Sequence, residues 1–139
     1  MSRRALFLDW GGTLVRTRNH RTVLDADGRP CVMPNVPETL ARVRPDYDAC
    51  FIVSNQGRIA RGELTERDGR ERFRWLHHRL GEPFTDWRIC PHDDADRCPC
   101  RKPAPALFLD LAAAWDLELA RSVHVGDCLK DCDAAGAAG

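Results

Sequence analysis

Residues 5–14 read Ala5-Leu6-Phe7-Leu8-Asp9-Trp10-Gly11-Gly12-Thr13-Leu14. Four consecutive apolar residues, Ala5 to Leu8, lie between Arg4 and the Gly11-Gly12 pair, the pattern of a short strand buried on both faces. Such a strand carries Asp9 to its C-terminal end. In an open parallel α/β sheet ligands bind at that edge, so a carboxylate followed by a flexible Trp-Gly-Gly-Thr turn stands where a substrate would arrive.

Three further stretches repeat the arrangement. Cys50-Phe51-Ile52-Val53 is a second buried run, and it ends in Ser54-Asn55-Gln56-Gly57. Trp87 to Ile89 reads as a short third strand that leads into Cys90-Pro91-His92, and Ser122 to Val125 as a fourth that leads into Gly126-Asp127. Helices are expected between them. Pro37 opens one over Glu38–Arg44, Thr65 caps another that runs to about Leu80, and Pro105 starts a third. Phe73, Leu76, His77 and Leu80 share one face of the second, and Phe108, Leu111, Ala112 and Trp115 one face of the third. An Ala/Gly-rich helix closes the chain at Gly139. This β-α-β-α alternation predicts a Rossmann-like parallel sheet with helices on both faces, in one α/β domain over residues 1–139. Residues 16–31 are polar and Gly/Asp-rich, and predict an irregular excursion above the sheet edge, too short for a folded cap domain. His77 and His78 are expected to pack and to face solvent rather than to act as ligands, and Cys50 to be a small buried hydrophobe.

The bulk composition narrows the partners. Lys+Arg 21 balances Asp+Glu 21, so nothing in the net charge favours nucleic acid or an anionic membrane, and any anion site must be local. The N-terminal apolar run is too short for a signal peptide, and no run approaches the ~18 apolar residues of a membrane span. A cytoplasmic protein, monomeric rather than oligomeric, is expected. Seven cysteines are an odd number, and three of them cluster with a histidine, which fits metal binding better than a disulfide scaffold.

That cluster is Cys90-x-His92-x5-Cys98-x-Cys100. Four soft or borderline ligands within a short loop suit a tetrahedral Zn²⁺, and the closed Cys3His set leaves no open position for catalysis. The zinc would therefore be structural, ordering a Pro- and Asp-rich loop that has little apolar surface of its own. The acids form a second set: Asp9 after the first strand, Asp127 and Asp131 after the fourth. Carboxylates gathered at one sheet edge repel unless a cation joins them, and oxygen ligands of this kind select Mg²⁺. Lys102 adds a positive charge, and the Ser54 hydroxyl and Asn55 amide add donors. Together they describe a phosphate dianion held between a metal and a lysine, with Asp9 as the nucleophile.

FLDWGGTL, IVSNQ, CRKP and VGDCLKD resemble, in order, the four motifs of the haloacid dehalogenase superfamily of aspartate-nucleophile phosphohydrolases. More narrowly, NQGRIARGELTE and CPH…CPCRKP resemble its zinc-loop phosphatases, which act on heptose bisphosphate and histidinol phosphate. The resemblance implies a capless fold, a small phosphorylated metabolite as substrate, and these roles. Asp9 attacks phosphorus; Ser54 and Lys102 hold the phosphoryl oxygens; Asn55 and Arg101 orient substrate. Asp9, Asp127 and the backbone carbonyl of Gly11 bind Mg²⁺, and Asp131 positions Lys102 or metal-bound water. Cys90, His92, Cys98 and Cys100 hold the zinc.

The chain departs from that pattern in three places. The second aspartate of D-x-D-x-T, which protonates the leaving group and then activates water, is here Gly11. Cys128 follows Asp127 where the heptose phosphatases usually carry lysine, and the chain reaches Gly139 where such folds usually run into one more strand. Gly11 opens an alternative, a catalytically weak or inactive pseudophosphatase that binds a phosphorylated ligand or a partner protein. The sequence DWGGT also resembles the DWAGT of phosphonoacetaldehyde hydrolases, but those need a cap domain with a Schiff-base lysine, and the lysines here are only Lys102 and Lys130.

Overall fold

The uniformly apolar runs become the two central strands of a four-stranded parallel sheet. The computed structural model describes residues 3–127 and 129–139; Cys128, one of the departures noted above, lies outside them. The strands are β1 (Ala5–Leu8), a two-residue antiparallel pair β2 (Thr17–Arg18) and β3 (Arg21–Thr22), β4 (Ala49–Asn55), β5 (Asp86–Cys90) and β6 (Val123–Val125). The helices are α1 (Val36–Val43), α2 (Gly57–Ala60), α3 (Glu66–Arg79), α4 (Ala106–Trp115) and α5 (Leu129–Ala138). The main sheet has the order β5-β4-β1-β6. From β1 the chain steps outward through β4 to β5 and then returns to the other side of β1. The topological switch point therefore falls at the C-terminal end of β1, where Asp9 stands.

Alternation along the strands sorts the core into two layers. Leu6, Leu8, Cys50, Ile52 and Ile89 face Phe73 and Leu76 of α3 and Leu40 of α1, whereas Phe7, Phe51 and Val53 face Leu107, Phe108 and Leu111 of α4. Phe7 stacks on Phe51 at 5.5 Å between ring centroids and meets Phe108 edge-on at 5.1 Å. Cover thins at β6. Val123 and Val125, in register with Leu6 and Leu8, are 38% and 44% exposed. Burial pushes the Cys50 thiol up to about 12 against the pull of Arg44, in keeping with a small buried hydrophobe.

The helix signals act as expected. Thr65 Oγ1 accepts from the Asp68 N–H at 3.0 Å and caps α3. The prediction for residues 16–31 needs refinement, because Asn19 and His20 both adopt positive φ, 51° and 61°, and close a tight hairpin between β2 and β3. Trp10 anchors this hairpin: it is buried, its Nε1 donates to Thr22 Oγ1 at 3.0 Å, and its ring lies 4.6 Å from that of Phe73. The hairpin is thus fixed over the turn that follows Asp9. His77 packs beside Phe84 and Trp87, and His78 is exposed. No described helix is long and apolar enough to cross a membrane.

Because Phe51 is fully buried between Phe7 and α4, Phe51→Ala should cost about 3–5 kcal/mol through lost contacts and the cavity left behind. Urea denaturation followed by fluorescence measures it, as a lower midpoint at unchanged slope.

Candidate active site

Four strand ends deliver the polar groups. Asp9 follows β1, with its N–H donating to the Val125 carbonyl at 3.0 Å, so the β1–β6 ladder itself sets where the carboxylate emerges. Ser54 and Asn55 end β4, Cys90 ends β5, and Asp127 follows β6. Asp131 enters from the first turn of α5.

Lys102 is the centre of the arrangement and is 3% exposed. Its Nζ donates to Asp9 Oδ1 at 3.0 Å, to the Val53 carbonyl at 3.0 Å and to Asp131 Oδ1 at 2.5 Å. An ammonium has three hydrogens, and here each has an acceptor. Burial of a charge on this scale is tolerated only with such complete pairing. Asn55 places the lysine main chain: its Nδ2 donates to the Lys102 carbonyl at 3.1 Å and its Oδ1 accepts from the Lys102 N–H at 2.9 Å. The amide expected to orient substrate therefore clasps the segment that carries Lys102. Ser54 is 2% exposed, and its hydroxyl accepts from Gln56 Nε2 at 2.8 Å.

The two buried carboxylates differ. Burial pushes Asp9 up, Lys102 pulls it down and Asp131 adds to the rise, leaving it at about 6. Burial also opposes ionisation of Asp131, but hydrogen bonds from His124 and Lys102 overcome it and hold that carboxyl well below the usual range. Asp9, Asp127 and Asp131 bring carboxylate oxygens within 4.8 Å of one another, spacing that fits a divalent cation. Gly12 makes room for the exposed one. Its φ is +77°, and a Cβ there would overlap Asp127 Oδ2.

Gly11 also matters for what lies beside it. A Cβ at this position would stand 2.8 Å from the Thr17 Cγ2 methyl, so the base of the hairpin fills the space into which a side chain would project.

The Cys/His cluster comes together as its spacing predicts. Cys90 Sγ lies 3.4 Å from Cys98 Sγ and 3.0 Å from Cys100 Sγ, and His92 Nδ1 lies 3.5 Å and 3.3 Å from Cys90 and Cys100. Edges of that length put the centre of the tetrahedron roughly 2 Å from each donor, within reach of Zn–N and Zn–S bonds. Arg101 binds the cluster loop to its own segment, donating from Nη1 to the His92 carbonyl at 2.9 Å.

The sequence reading did not single out His124, Gln56 or Thr17. A histidine within the apolar fourth strand was the available signal for the first. The roles of the other two arise through space and leave no local pattern.

Lys102→Met keeps the side-chain length but leaves Asp9 and Asp131 without their shared cation. In metal-free protein this should cost about 3–5 kcal/mol at neutral pH. The deficit should shrink as pH falls, because without the ammonium both carboxyls are raised and protonation relieves their buried charge, whereas in the wild type Asp131 stays ionised and paired to Lys102. Denaturation midpoints at pH 7 and pH 5 test the sign.

A family model of haloacid dehalogenase-like hydrolases matches residues 11–139. The D-glycero-β-D-manno-heptose-1,7-bisphosphate 7-phosphatase of Rhodopseudomonas palustris is 38% identical over 117 residues, which cover 77% of this chain and 65% of that enzyme. This chain thus spans just under two thirds of that relative. The enzyme of the same name from Vibrio cholerae is 32% identical over 100% of this chain and 78% of its own length. A crystal structure of the D,D-heptose 1,7-bisphosphate phosphatase from B. bronchiseptica, complexed with magnesium and phosphate, superposes with a TM-score of 0.86 at 28% identity, covering 98% of this chain and 76% of that one. On these matches the chain belongs to the haloacid dehalogenase-like hydrolase family.

Proposed function

We propose that the chain is a phosphatase of a small phosphorylated metabolite, with sugar bisphosphates the leading class, working through a phosphoryl intermediate on Asp9 and slowed by Gly11. The observation that carries this reading is the buried Lys102 ammonium shared between Asp9 and Asp131 at the ends of β1 and β6. A fixed cation beside an aspartate suits an anionic substrate attacked by a carboxylate. The names of the relatives support the sugar-bisphosphate class.

At neutral pH Asp9, at about 6, is mostly ionised yet poorly solvated, the condition for a carboxylate nucleophile. Its oxygen forms a bond to phosphorus while the ester P–O bond breaks, and the departing oxygen must take a proton from somewhere. Gly11 has none to give, so water supplies it. A second water then attacks the acyl phosphate, releasing inorganic phosphate and restoring Asp9. Lys102 exchanges its bond to Asp9 for one to a phosphoryl oxygen, while Val53 and Asp131 keep the ammonium in place. Ser54 holds a second phosphoryl oxygen, and Arg101 meets the rest of the substrate. Asp9, Asp127 and the Gly11 carbonyl would hold Mg²⁺, which neutralises the repulsion between carboxylate and phosphoryl group. Cys90, His92, Cys98 and Cys100 would hold a structural Zn²⁺ that fixes the segment leading to Lys102. Reduced thiols of this kind suit a cytoplasmic setting.

A second reading, ligand binding without turnover, draws support from Thr17. Its methyl group would stand 2.8 Å from a Cβ at position 11, so a side chain there requires Thr17 to shift.

Metal analysis of protein purified without chelator should find about one zinc per chain, and Cys98→Ser should lower it. Zinc-free protein with the loop still ordered would overturn the assignment. For the acid, phosphate release from alkyl and aryl phosphates separates the readings. Aryl esters, whose oxygen leaves readily, should be the better substrates of the wild type. Gly11→Asp alone should help little, because Thr17, stiff at χ1, opposes the new side chain. Gly11→Asp with Thr17→Ser should raise turnover of alkyl phosphates within the ~10²–10⁴-fold range of general acid catalysis, and of aryl phosphates by less. No turnover in any of these proteins would favour binding alone.

A further inference from the structure

His124 lies midway along β6, in register with Phe7, and its side chain is 4% exposed. Phe108 meets the imidazole edge-on at 4.9 Å between ring centroids. Both ring nitrogens nevertheless have polar partners. Nδ1 stands 3.2 Å from the Phe7 carbonyl oxygen, and Nε2 stands 3.0 Å from Asp131 Oδ1. That carboxylate oxygen is the same one that accepts from Lys102.

The Asp131 oxygen that accepts from Lys102 thus also meets Nε2, while Nδ1 faces the Phe7 carbonyl oxygen, so both ends of the ring are engaged. The imidazole is then a two-ended clamp between the β1 main chain and Asp131. Asp131 lies at the start of α5, the far side of the sheet edge from the Lys102 segment, and a carboxylate there could rotate about its own side-chain bonds. His124 limits that freedom, since Oδ1 must then meet both the imidazole and the ammonium. Lys102 in turn must hold its place while it exchanges Asp9 for a phosphoryl oxygen, and Asp131 and the Val53 carbonyl are the two contacts that remain to it.

We propose that His124 is a positioning residue for the reaction, which fixes Asp131 and through it the Lys102 ammonium at the point where the phosphoryl group is received. The inference rests on the phosphatase reading only for what Lys102 is positioned to do. The clamp itself is a property of the ligand-free chain.

The competing role is purely architectural, a pin between the edge strand β6 and β1 through the Phe7 carbonyl. Two amides separate them. The Gln amide nitrogen falls near the position of imidazole Nε2 and can still reach Asp131, whereas the Asn nitrogen falls near Nδ1 and can reach only Phe7. The chain has two lysines, Lys102 and Lys130, so in ¹⁵N-detected spectra the Lys102 ammonium is readily assigned with Lys102→Met as reference. In the ligand-free, metal-free wild type it should give a slowly exchanging resonance. His124→Gln should keep that resonance, and His124→Asn and His124→Phe should lose or shift it. In phosphate release, kcat/KM should stay within about 3-fold of wild type for His124→Gln and fall by about 10-fold or more for the other two, the scale of lost outer contacts at a reaction centre. An unmoved Lys102 resonance in folded His124→Asn and His124→Phe would overturn the proposal. So would its loss in His124→Gln, which decides the matter even where the other two do not fold. A wild type that keeps the resonance but releases no phosphate overturns the phosphatase reading and leaves the clamp standing.

Discussion

A positive charge buried at the edge of the sheet governs this protein. The Lys102 ammonium has almost no contact with solvent, so each of its hydrogens must find an oxygen, and each oxygen comes from a different part of the fold: the end of β1, the main chain of β4, and the first turn of α5. The loop that brings the lysine in has little apolar surface, and its order comes from polar and thiol contacts instead. The Cys90–Cys100 cluster closes the loop on itself, and Asn55 grips the Lys102 peptide from the adjoining strand. Sheet, loop and terminal helix are therefore coupled through one side chain.

Much of this was legible in the sequence, and the reason is that strands in a parallel sheet need no partner to declare themselves. Ala5–Leu8 and Cys50–Val53 are apolar throughout because both faces are covered, and the polar residue that ends each run marks the ligand edge. The metal-ligand spacing of residues 90–100 is equally local. Contacts through space were not legible. Asn55 looked like a donor to substrate because a strand-end amide often is, and only the fold shows its amide facing the Lys102 peptide. The 17–22 hairpin was hidden because its turn uses Asn19 and His20 at positive φ rather than the glycine that would have announced it. His124 sat in a strand that otherwise reads as apolar, and Phe108 gives it the surroundings of an ordinary core residue.

Gly11 acquires a different meaning beside Thr17. The Thr17 methyl stands 2.8 Å from where a Cβ at position 11 would be, and Trp10 holds the hairpin that carries it through Thr22. Gly11 and the base of the hairpin form one packed unit. Asp9, Lys102 and Asp131 remain assembled all the same, so the buried charge cluster does not depend on a side chain at position 11.

The tight fit at the sheet edge also bears on how this chain tolerates change. Asp127 packs against the main chain of Gly12 and Asp131 against that of Gly126, so closely that the first methyl group added to either glycine would coincide with a carboxyl. Two residues without side chains therefore carry the same information as the acids they touch. A saturation scan scored by folding and binding would find Gly12 and Gly126 as intolerant as the carboxylates themselves, and drift at either position would erase an acid while leaving its codon untouched.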